Sequence, residues 1–225
     1  MLPLPQINLG IGAEIIYSFV IIVCSLMIYF GTREIYNLSS YKGIKYFRQA
    51  FLFFAIAYLS RFIIEFIVIS FNLSGILEIY PFIVGYFTLF IFMYLSSISI
   101  FYLIYSIFWK KWKNNSKMIY ISHIIAIMIA LASIFFRNQI FYIGLNVILL
   151  ITAIIMVSIA SYSQRNKPKK NNLLIIYLLL FIFFILDVFN ILVPIFFESL
   201  KLVIYLVSLL IFLIILYKVL KKTGD

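Results

Sequence analysis

The stretch that decides the fold runs from Tyr46 to Phe71 and reads YFRQAFLFFAIAYLSRFIIEFIVISF. It is long enough to cross the hydrocarbon core of a bilayer, which takes about 20 predominantly apolar residues. Its middle nevertheless holds a guanidinium, Arg61, and a carboxylate one helical turn later, Glu65. A charge at that depth costs at least a few kcal/mol unless it is paired or hydrated. The stretch therefore predicts a membrane-spanning helix whose charged residues need partners on other helices.

The composition extends this prediction to the whole chain. Of the 225 residues, 66% are hydrophobic, 20% aromatic and only 11% charged, whereas soluble domains are about half apolar and a quarter charged. We predict an all-α integral membrane protein that forms a single domain over residues 1–225, a bundle of seven transmembrane helices. The polar clusters place the predicted helices at residues 11–36, 46–71, 79–109, 118–136, 139–163, 173–197 and 200–220.

The net charge of +11 reflects topology rather than nucleic-acid binding. Fifteen lysines and arginines flank the first, third and fifth loops or follow the last helix, whereas the opposite loops carry only Arg137 and Lys201. Because cytoplasmic loops are enriched in basic residues, the N-terminus is expected outside and the C-terminus in the cytoplasm. The basic cytoplasmic rim should attract anionic lipid headgroups. Abundant Ile, Lys, Asn, Tyr and Phe are typical of an AT-rich genome and suggest a prokaryotic source. Together with the seven predicted spans, they predict a multi-pass protein of a prokaryotic cell membrane.

Two of the predicted helices carry polar residues along one face. When residues are placed 100° apart around each helix, these faces fall within narrow sectors that should point into the bundle. The faces hold Phe54, Tyr58, Arg61, Glu65 and Asn72 on segment 46–71, and Phe183, Asp187, Asn190, Pro194 and Glu198 on segment 173–197.

Both segments run from inside to outside, so Arg61 and Asp187 should lie at similar depth, with Glu65 and Asn190 one turn further out. One arginine and two carboxylates leave a net charge of −1. In a medium of low dielectric constant, one of the two carboxylates should bind a proton or a cation rather than remain ionised alone. We therefore predict a ligand-binding or proton-linked cluster of Arg61, Glu65, Asp187 and Asn190.

Other polar residues are candidates for the lining of a pocket around this cluster. Glu14 lies near the outer end of the first helix, and Tyr142 with Asn146 near the outer end of the fifth. Pro194 frees the carbonyl of Asn190 from its helical partner. Tyr58 completes the candidate lining. The alternative for Pro194 is a plain kink near a helix end, and for Glu14, Tyr142 and Asn146 it is ordinary helix packing and interhelical hydrogen bonding.

The remaining chemistry-bearing residues argue against a metal site or a cofactor. The single cysteine, Cys24, excludes an intrachain disulfide, and we interpret it as a packing residue. His123 has no Cys, Asp or Glu near it in sequence, so we predict an interfacial or hydrogen-bonded histidine rather than a metal ligand. The chain contains neither Gly-x-Ser-x-Gly nor His-Glu-x-x-His, and we predict that it is not an enzyme.

Two functional hypotheses remain open from the sequence. The first is a small-molecule or ion transporter, or the membrane component of a ligand sensor, which would signal through a separate protein partner. The second is a structural subunit or scaffold whose charge cluster only fixes helix packing. A cavity lined by Arg61, Asp187 and Asn190 and open to the outside would favour the first hypothesis.

Overall fold

The computed structural model describes residues 9–74, 81–109, 116–135, 171–192 and 198–224, together with residues 144, 147–149, 151–152, 154–155 and 158–159. Within these residues all regular structure is α-helical and no strand occurs. The prediction of an all-α protein is confirmed for this part of the chain. Helices suit an apolar chain in hydrocarbon because they satisfy their backbone hydrogen bonds internally.

The described helices overlap the predicted segments closely. Their bounds are α1 Leu9–Gly31, α2 Arg33–Ser39, α3 Lys42–Ser74, α4 Pro81–Phe108, α5 Ser116–Phe135, α6 Asn171–Leu192 and α7 Glu198–Gly224. Only the predicted helix at 139–163 has no counterpart among them. Scattered positions of that segment are described, and these are helical.

Four stretches of the described residues are long and apolar enough to cross a membrane. They are Gly12–Ser39, Tyr86–Phe108, Lys117–Phe135 and Leu200–Lys221. A shorter apolar helix covers Ile175–Leu186. Several such stretches in one chain are what a multi-pass membrane protein requires.

The first predicted helix, over residues 11–36, corresponds to α1 and α2, which meet at Thr32 and together form one apolar stretch, Gly12–Ser39. The helical hydrogen bonds continue through this position, since the Thr32 N–H donates to the carbonyl oxygen of Ile28 at 3.1 Å and the Tyr36 N–H donates to that of Thr32 at 3.2 Å. The Thr32 hydroxyl donates to the same Ile28 oxygen at 2.7 Å. Such side-chain bonds to the preceding turn often bend a helix slightly.

Helices α1 and α3 form an antiparallel hairpin through the short α2. Arg48 contacts Tyr29 at one end of the hairpin, and Tyr58 contacts Tyr17 further along it. The connection from α2 to α3 passes through Ser40, which adopts a left-handed conformation with φ 49° and donates its N–H to the carbonyl oxygen of Tyr36. Such an αL residue is a common way to end a helix.

Ring contacts fix the directions of the last two helices. Phe47 contacts Tyr177, and Phe54 contacts Phe184, so α6 runs parallel to α3. Tyr17 contacts Tyr205, and Gly31 lies against Leu220, so α7 runs parallel to α1. Helix α5 packs on α4 after a short connection and therefore runs antiparallel to it. Helices α5 and α6 consequently run in the same direction.

One end of the bundle collects the described basic residues. There α1, α4 and α7 end, and α3, α5 and α6 begin. We call it the basic end, and it holds Arg33, Lys42, Lys45, Arg48, Lys117, Lys218 and Lys221.

Gly43 allows α3 and α4 to pack closely at the basic end. A Cβ at Gly43 would lie 2.5 Å from the Tyr41 ring, 2.9 Å from the carbonyl oxygen of Ser106 and 2.9 Å from Trp109. The Tyr41 and Trp109 rings meet edge to face with centroids 5.0 Å apart. Only glycine permits the start of α3 to approach the end of α4 this closely.

Candidate functional site

An ion pair joins the first and third helices near the end of the bundle opposite the basic end. Arg61 of α3 is bonded through Nη2 to Oε1 of Glu14 on α1. Their side chains are 22% and 30% exposed, respectively. The pair is therefore mostly removed from solvent but remains within reach of a solute.

Aromatic side chains form a floor on the basic-end side of this pair. Tyr17 lies one turn from Glu14 and Tyr58 one turn from Arg61, and both tyrosines are buried. Their ring centroids lie 6.0 Å apart, and Tyr17 also contacts Tyr205 of α7 at 4.7 Å. We call Tyr17, Tyr58 and Tyr205 the tyrosine floor.

The face of a further ring supports Arg61 from α4. The Cζ of Arg61 lies 5.8 Å from the centroid of Phe92, within the range of a cation–π interaction. Phe92 in turn contacts Tyr58 at 5.7 Å. The guanidinium is thus positioned by α1 and α4 together.

A purely apolar layer follows below the tyrosine floor. Phe54 stacks on Phe212 with centroids 5.9 Å apart, and Phe183 contacts both rings, at 5.6 Å from Phe54 and 5.0 Å from Phe212. These three side chains come from α3, α7 and α6 and are buried. The layer separates the ion pair from the basic end.

The partners predicted for Arg61 were Asp187 and Glu65. Their side chains, like that of Asn190, lie outside the described residues. The partner that the structure gives is Glu14, which we predicted as pocket lining. The parallel offset between α3 and α6, from 47 to 177 and from 54 to 184, puts position 187 level with Ala57 and position 191 level with Arg61.

The inward face predicted for α3 and α6 is confirmed where side chains are described, since Phe54, Tyr58 and Phe183 are all buried. Tyr142, Asn146 and Pro194, predicted as pocket lining, lie outside the described residues.

A signal in the sequence identifies Glu14 in retrospect. Glu14 and Arg61 are equally far along the chain from the middle of the hairpin, between Asn37 and Leu38. Opposite charges placed symmetrically about a helical hairpin lie at the same height when the two helices are antiparallel. Our prediction paired the more distant α6 with α3 because it compared depths without first pairing neighbouring helices.

His123 occupies a second polar cluster, between α4 and α5. The Tyr94 hydroxyl lies 2.8 Å from Nδ1 of His123, and the Tyr102 hydroxyl lies 3.2 Å from Nε2. Both ring nitrogens therefore have a hydroxyl partner, one as donor and one as acceptor in the neutral ring. The predicted hydrogen-bonded histidine is confirmed.

Hydroxyl groups make further links between the helices. Ser99 of α4 donates to the carbonyl oxygen of Ala50 at 2.9 Å. Ser106 of α4 lies 2.6 Å from the hydroxyl of Tyr177 on α6. Interhelical bonds of this kind, each worth about 1 kcal/mol, are typical of helix packing in membranes. These residues therefore belong to the framework of the bundle and not to the candidate site.

Comparison with known proteins identifies one informative relative. No protein family model and no solved structure matches the chain. An uncharacterized protein of Archaeoglobus fulgidus is 32% identical over 223 residues, which cover 94% of this chain and 93% of that protein. The match extends along nearly the full length of both chains. The chain therefore belongs to the same family as this Archaeoglobus fulgidus protein.

Proposed function

We propose that this protein is a multi-pass membrane protein that binds a small anionic ligand at Arg61, as a transporter or as the membrane component of a sensor. The ion pair between Arg61 and Glu14 is the observation that carries the proposal. Charged groups within membrane segments are expensive to maintain and mark ligand or ion pathways by default. We infer binding and not catalysis.

The helix directions support seven membrane-spanning helices in one domain. Phe135 ends α5 at the end opposite the basic end, whereas Asn171 starts α6 at the basic end. We infer that the chain between them crosses the bundle once more. The predicted segment 139–163 is long enough to do so, and its described positions are helical.

The charge distribution supports a cytoplasmic basic end in a cell membrane. Among the described lysines and arginines at the rims, only Lys201 lies at the opposite end. The excess of basic residues on one side is the pattern of cytoplasmic loops. This orientation places the N-terminus and the ion pair towards the outside.

We infer that the ligand exchanges with Glu14. An anion that approaches from the outside can take the place of the Glu14 carboxylate on Arg61, and the tyrosine floor limits how deep it enters. The displaced carboxylate would then be unpaired near low-dielectric surroundings and would bind a proton. Anion binding would thereby be linked to proton uptake.

The predicted cluster on α6 fits this site. The offset between α3 and α6 brings positions 187 and 190 to within about one helical turn of the Arg61 level. A second carboxylate and an amide at that height would serve as a proton-linked partner and as a ligand contact. We therefore retain Asp187, Asn190 and Glu65 as proposed members of the site.

The second candidate is a scaffold in which the pair only clamps α1 to α3. The direct bond between the two helices is the observation that favours it. Buried pairs can fix geometry without binding anything. The two candidates predict different anion affinities when the Glu14 carboxylate is neutralised: a gain for the ligand-binding protein and no gain for the scaffold.

Thermal unfolding of the purified protein with acetate, succinate, phosphate and chloride tests the proposal. At least one anion should raise the Tm of the natural protein and leave that of Arg61→Gln unchanged. Glu14→Gln should bind the same anion about tenfold more tightly, because the competing carboxylate is gone. Lys201→Gln, at the same end of the bundle, is the matched control and should respond like the natural protein.

A scaffold predicts a different result. Glu14→Gln would then gain no affinity for any anion. An anion that stabilises the natural protein and Arg61→Gln equally would place the binding site elsewhere.

A further inference from the structure

A second arginine of α3, Arg48, lies near the basic end in a cradle made by three helices. Its Nε donates to the carbonyl oxygen of Tyr29 on α1 at 3.0 Å. Its Cζ lies 4.8 Å from the ring centroid of Tyr29 and 5.7 Å from that of Tyr36 on α2. The backbone bond and the two rings hold the guanidinium in one place.

This arrangement leaves the terminal fork of the guanidinium for another partner. The bond to Tyr29 uses Nε, and within the described residues neither Nη1 nor Nη2 has a recorded hydrogen bond or ion pair. Arg48 is half-buried. The two Nη groups match the spacing of oxygens on a phosphate or carboxylate.

The charges around Arg48 favour an anion. Arg33, Lys42 and Lys45 are exposed nearby in the chain, and the acidic residue at this end of the hairpin is Glu34, which is also exposed. Four positive charges against one negative charge leave this part of the basic end at +3. Glu34 makes no ion pair with Arg48 among the described contacts.

An apolar strip on the outside of the bundle leads to the cradle. Val23, Met27 and Phe30 recur at helical spacing along one face of α1, and all three are exposed. The Phe30 ring contacts the Tyr29 ring with centroids 5.1 Å apart. The strip therefore ends beside the ring on which Arg48 lies.

The position of the cradle matches that of a membrane interface. Tyr29, Tyr36, Tyr41 and Trp109 surround this end of the bundle, as aromatic residues do at the level of lipid headgroups. Leu38 on α2 is 89% exposed, which is unfavourable in water but expected where a short helix meets lipid. A free solute would use the charges but not the apolar strip.

We propose that Arg48 binds the phosphate of an anionic phospholipid headgroup, with an acyl chain lying along Val23, Met27 and Phe30. The phosphate oxygens accept hydrogen bonds from the two Nη groups, and Tyr29 and Tyr36 keep the fork aimed at them. The exposed Lys42, Lys45 and Arg33 attract the headgroup electrostatically but do not bind it in a defined orientation. This site is separate from Arg61, which lies thirteen residues further along the same helix.

Titration of the full chain in detergent tests the proposal, with Tm as the readout. Dioleoylphosphatidylglycerol should raise the Tm of the natural protein more than dioleoylphosphatidylcholine does, because the choline cation cancels the phosphate charge and is repelled by the basic residues around Arg48. Arg48→Gln should need about tenfold more phosphatidylglycerol for the same effect, because a charge-assisted bond is lost. Arg33→Gln is the matched control, and it should lose no more than about fivefold, the effect of one surface charge.

The other results would overturn the proposal. Equal losses for Arg48→Gln and Arg33→Gln would show a diffuse basic rim with no defined site. Equal stabilisation by phosphatidylcholine would show that the headgroup charge is not recognised. Inorganic phosphate or glycerol phosphate acting as well as the lipid, and only with Arg48 present, would identify a soluble phosphate ligand instead.

A measurement on the natural protein keeps the proposal testable if Arg48→Gln does not fold. A phosphatidylglycerol analogue with a photoactivatable group in its headgroup should label peptides that contain residues 29–48. Labels spread evenly over all basic loops would overturn the assignment. Since this test uses no soluble anion and no Arg61 variant, its failure would leave the proposed function unaffected.

Discussion

Arg48 and Arg61 lie on the same helix, but their positive charges are balanced in different ways. Arg61 is paired with a carboxylate from α1 and backed by the face of Phe92. Arg48 has no carboxylate partner within the described residues and is held by a carbonyl oxygen and two tyrosine rings. The first arrangement neutralises the charge inside the protein, and the second leaves it to the surroundings.

The difference follows from where each arginine lies along the helix. Arg61 is separated from the basic end by an apolar layer of phenylalanines, so a counter-charge has to come from the bundle itself. Arg48 is half-buried at the basic end, where the surroundings can balance its charge at little cost. A cation deep in a membrane protein therefore points to an internal partner, and one at the rim points to an external partner.

The largest effect should come from cutting the internal pair. In lipid-free detergent, Arg61→Ala should lower the free energy of unfolding by about 2–3 kcal/mol, because it leaves the Glu14 carboxylate without its partner. Arg48→Ala should cost only about 1 kcal/mol, since it removes one hydrogen bond and exposed ring contacts. Reversible denaturation measures the free energy of unfolding of both variants. Equal losses in the two variants would contradict the prediction.

A double-mutant cycle sharpens the same result. Arg61→Ala combined with Glu14→Ala should cost less than the sum of the two single changes, with a coupling of about 1–3 kcal/mol. A coupling near zero would mean that the pair contributes nothing to stability and that the depth argument fails for this site.

The next effect tests whether close packing, and not charge, holds the basic end together. Gly43→Ala should destabilise the protein by about 2 kcal/mol, because its Cβ would meet the backbone carbonyl of Ser106. Gly12→Ala is the control, since a Cβ there meets nothing within 4 Å. It should be neutral or stabilise α1 by up to about 1 kcal/mol. Gly43→Ala should lower the Tm, whereas Gly12→Ala should leave it unchanged or raise it.

A neutral buried bond between α4 and α6 should have a smaller effect than the ion pair. Ser106→Ala leaves the buried Tyr177 hydroxyl without its bond to Ser106 and should cost about 1–2 kcal/mol. Tyr177→Phe should cost less, because Ser106 retains its bond to the carbonyl oxygen of Leu103 at 2.7 Å. Comparing the two Tm values checks the asymmetry, and the reverse order would contradict it.

The smallest effects should come from the tyrosines around His123. Tyr94→Phe should cost about 0.5–1 kcal/mol and Tyr102→Phe somewhat less, since the Tyr102 bond is longer. Tyr120→Phe on the exposed face of α5 is the control and should have no effect. Unfolding measurements that rank the control with the other two would show that these bonds do not contribute to stability.

Much of the fold was predictable because hydrocarbon restricts the choice of structure. Apolar length alone placed six of the seven predicted helices to within a few residues of described ones, segment 139–163 being the exception, and helical periodicity placed Phe54, Tyr58 and Phe183 on inward faces. The end of the first apolar stretch at Ser39 was not predictable from hydropathy, because it is set by the left-handed backbone of Ser40.

The candidate site was predictable in kind but not in its pairing. The depth of Arg61 required a carboxylate, and several carboxylates were available at suitable heights. Which one lies beside it depends on which helices are neighbours, and that is decided by packing. The link from Arg48 to Tyr29 and Tyr36 was missed for the same reason, since aromatic residues at span ends looked alike in the sequence.

The buried serines of the bundle have a practical consequence for work on this family. The hydroxyls of Ser18, Ser25, Ser97 and Ser208 are enclosed, and within the described residues no hydrogen-bond partner is recorded for them. An enclosed hydroxyl without a hydrogen-bond partner lowers the stability of the native state slightly. An alanine, which is nearly the same size, would remove this cost. Replacing all four serines by alanine should give a more stable variant for crystallisation that still contains Arg48 and Arg61.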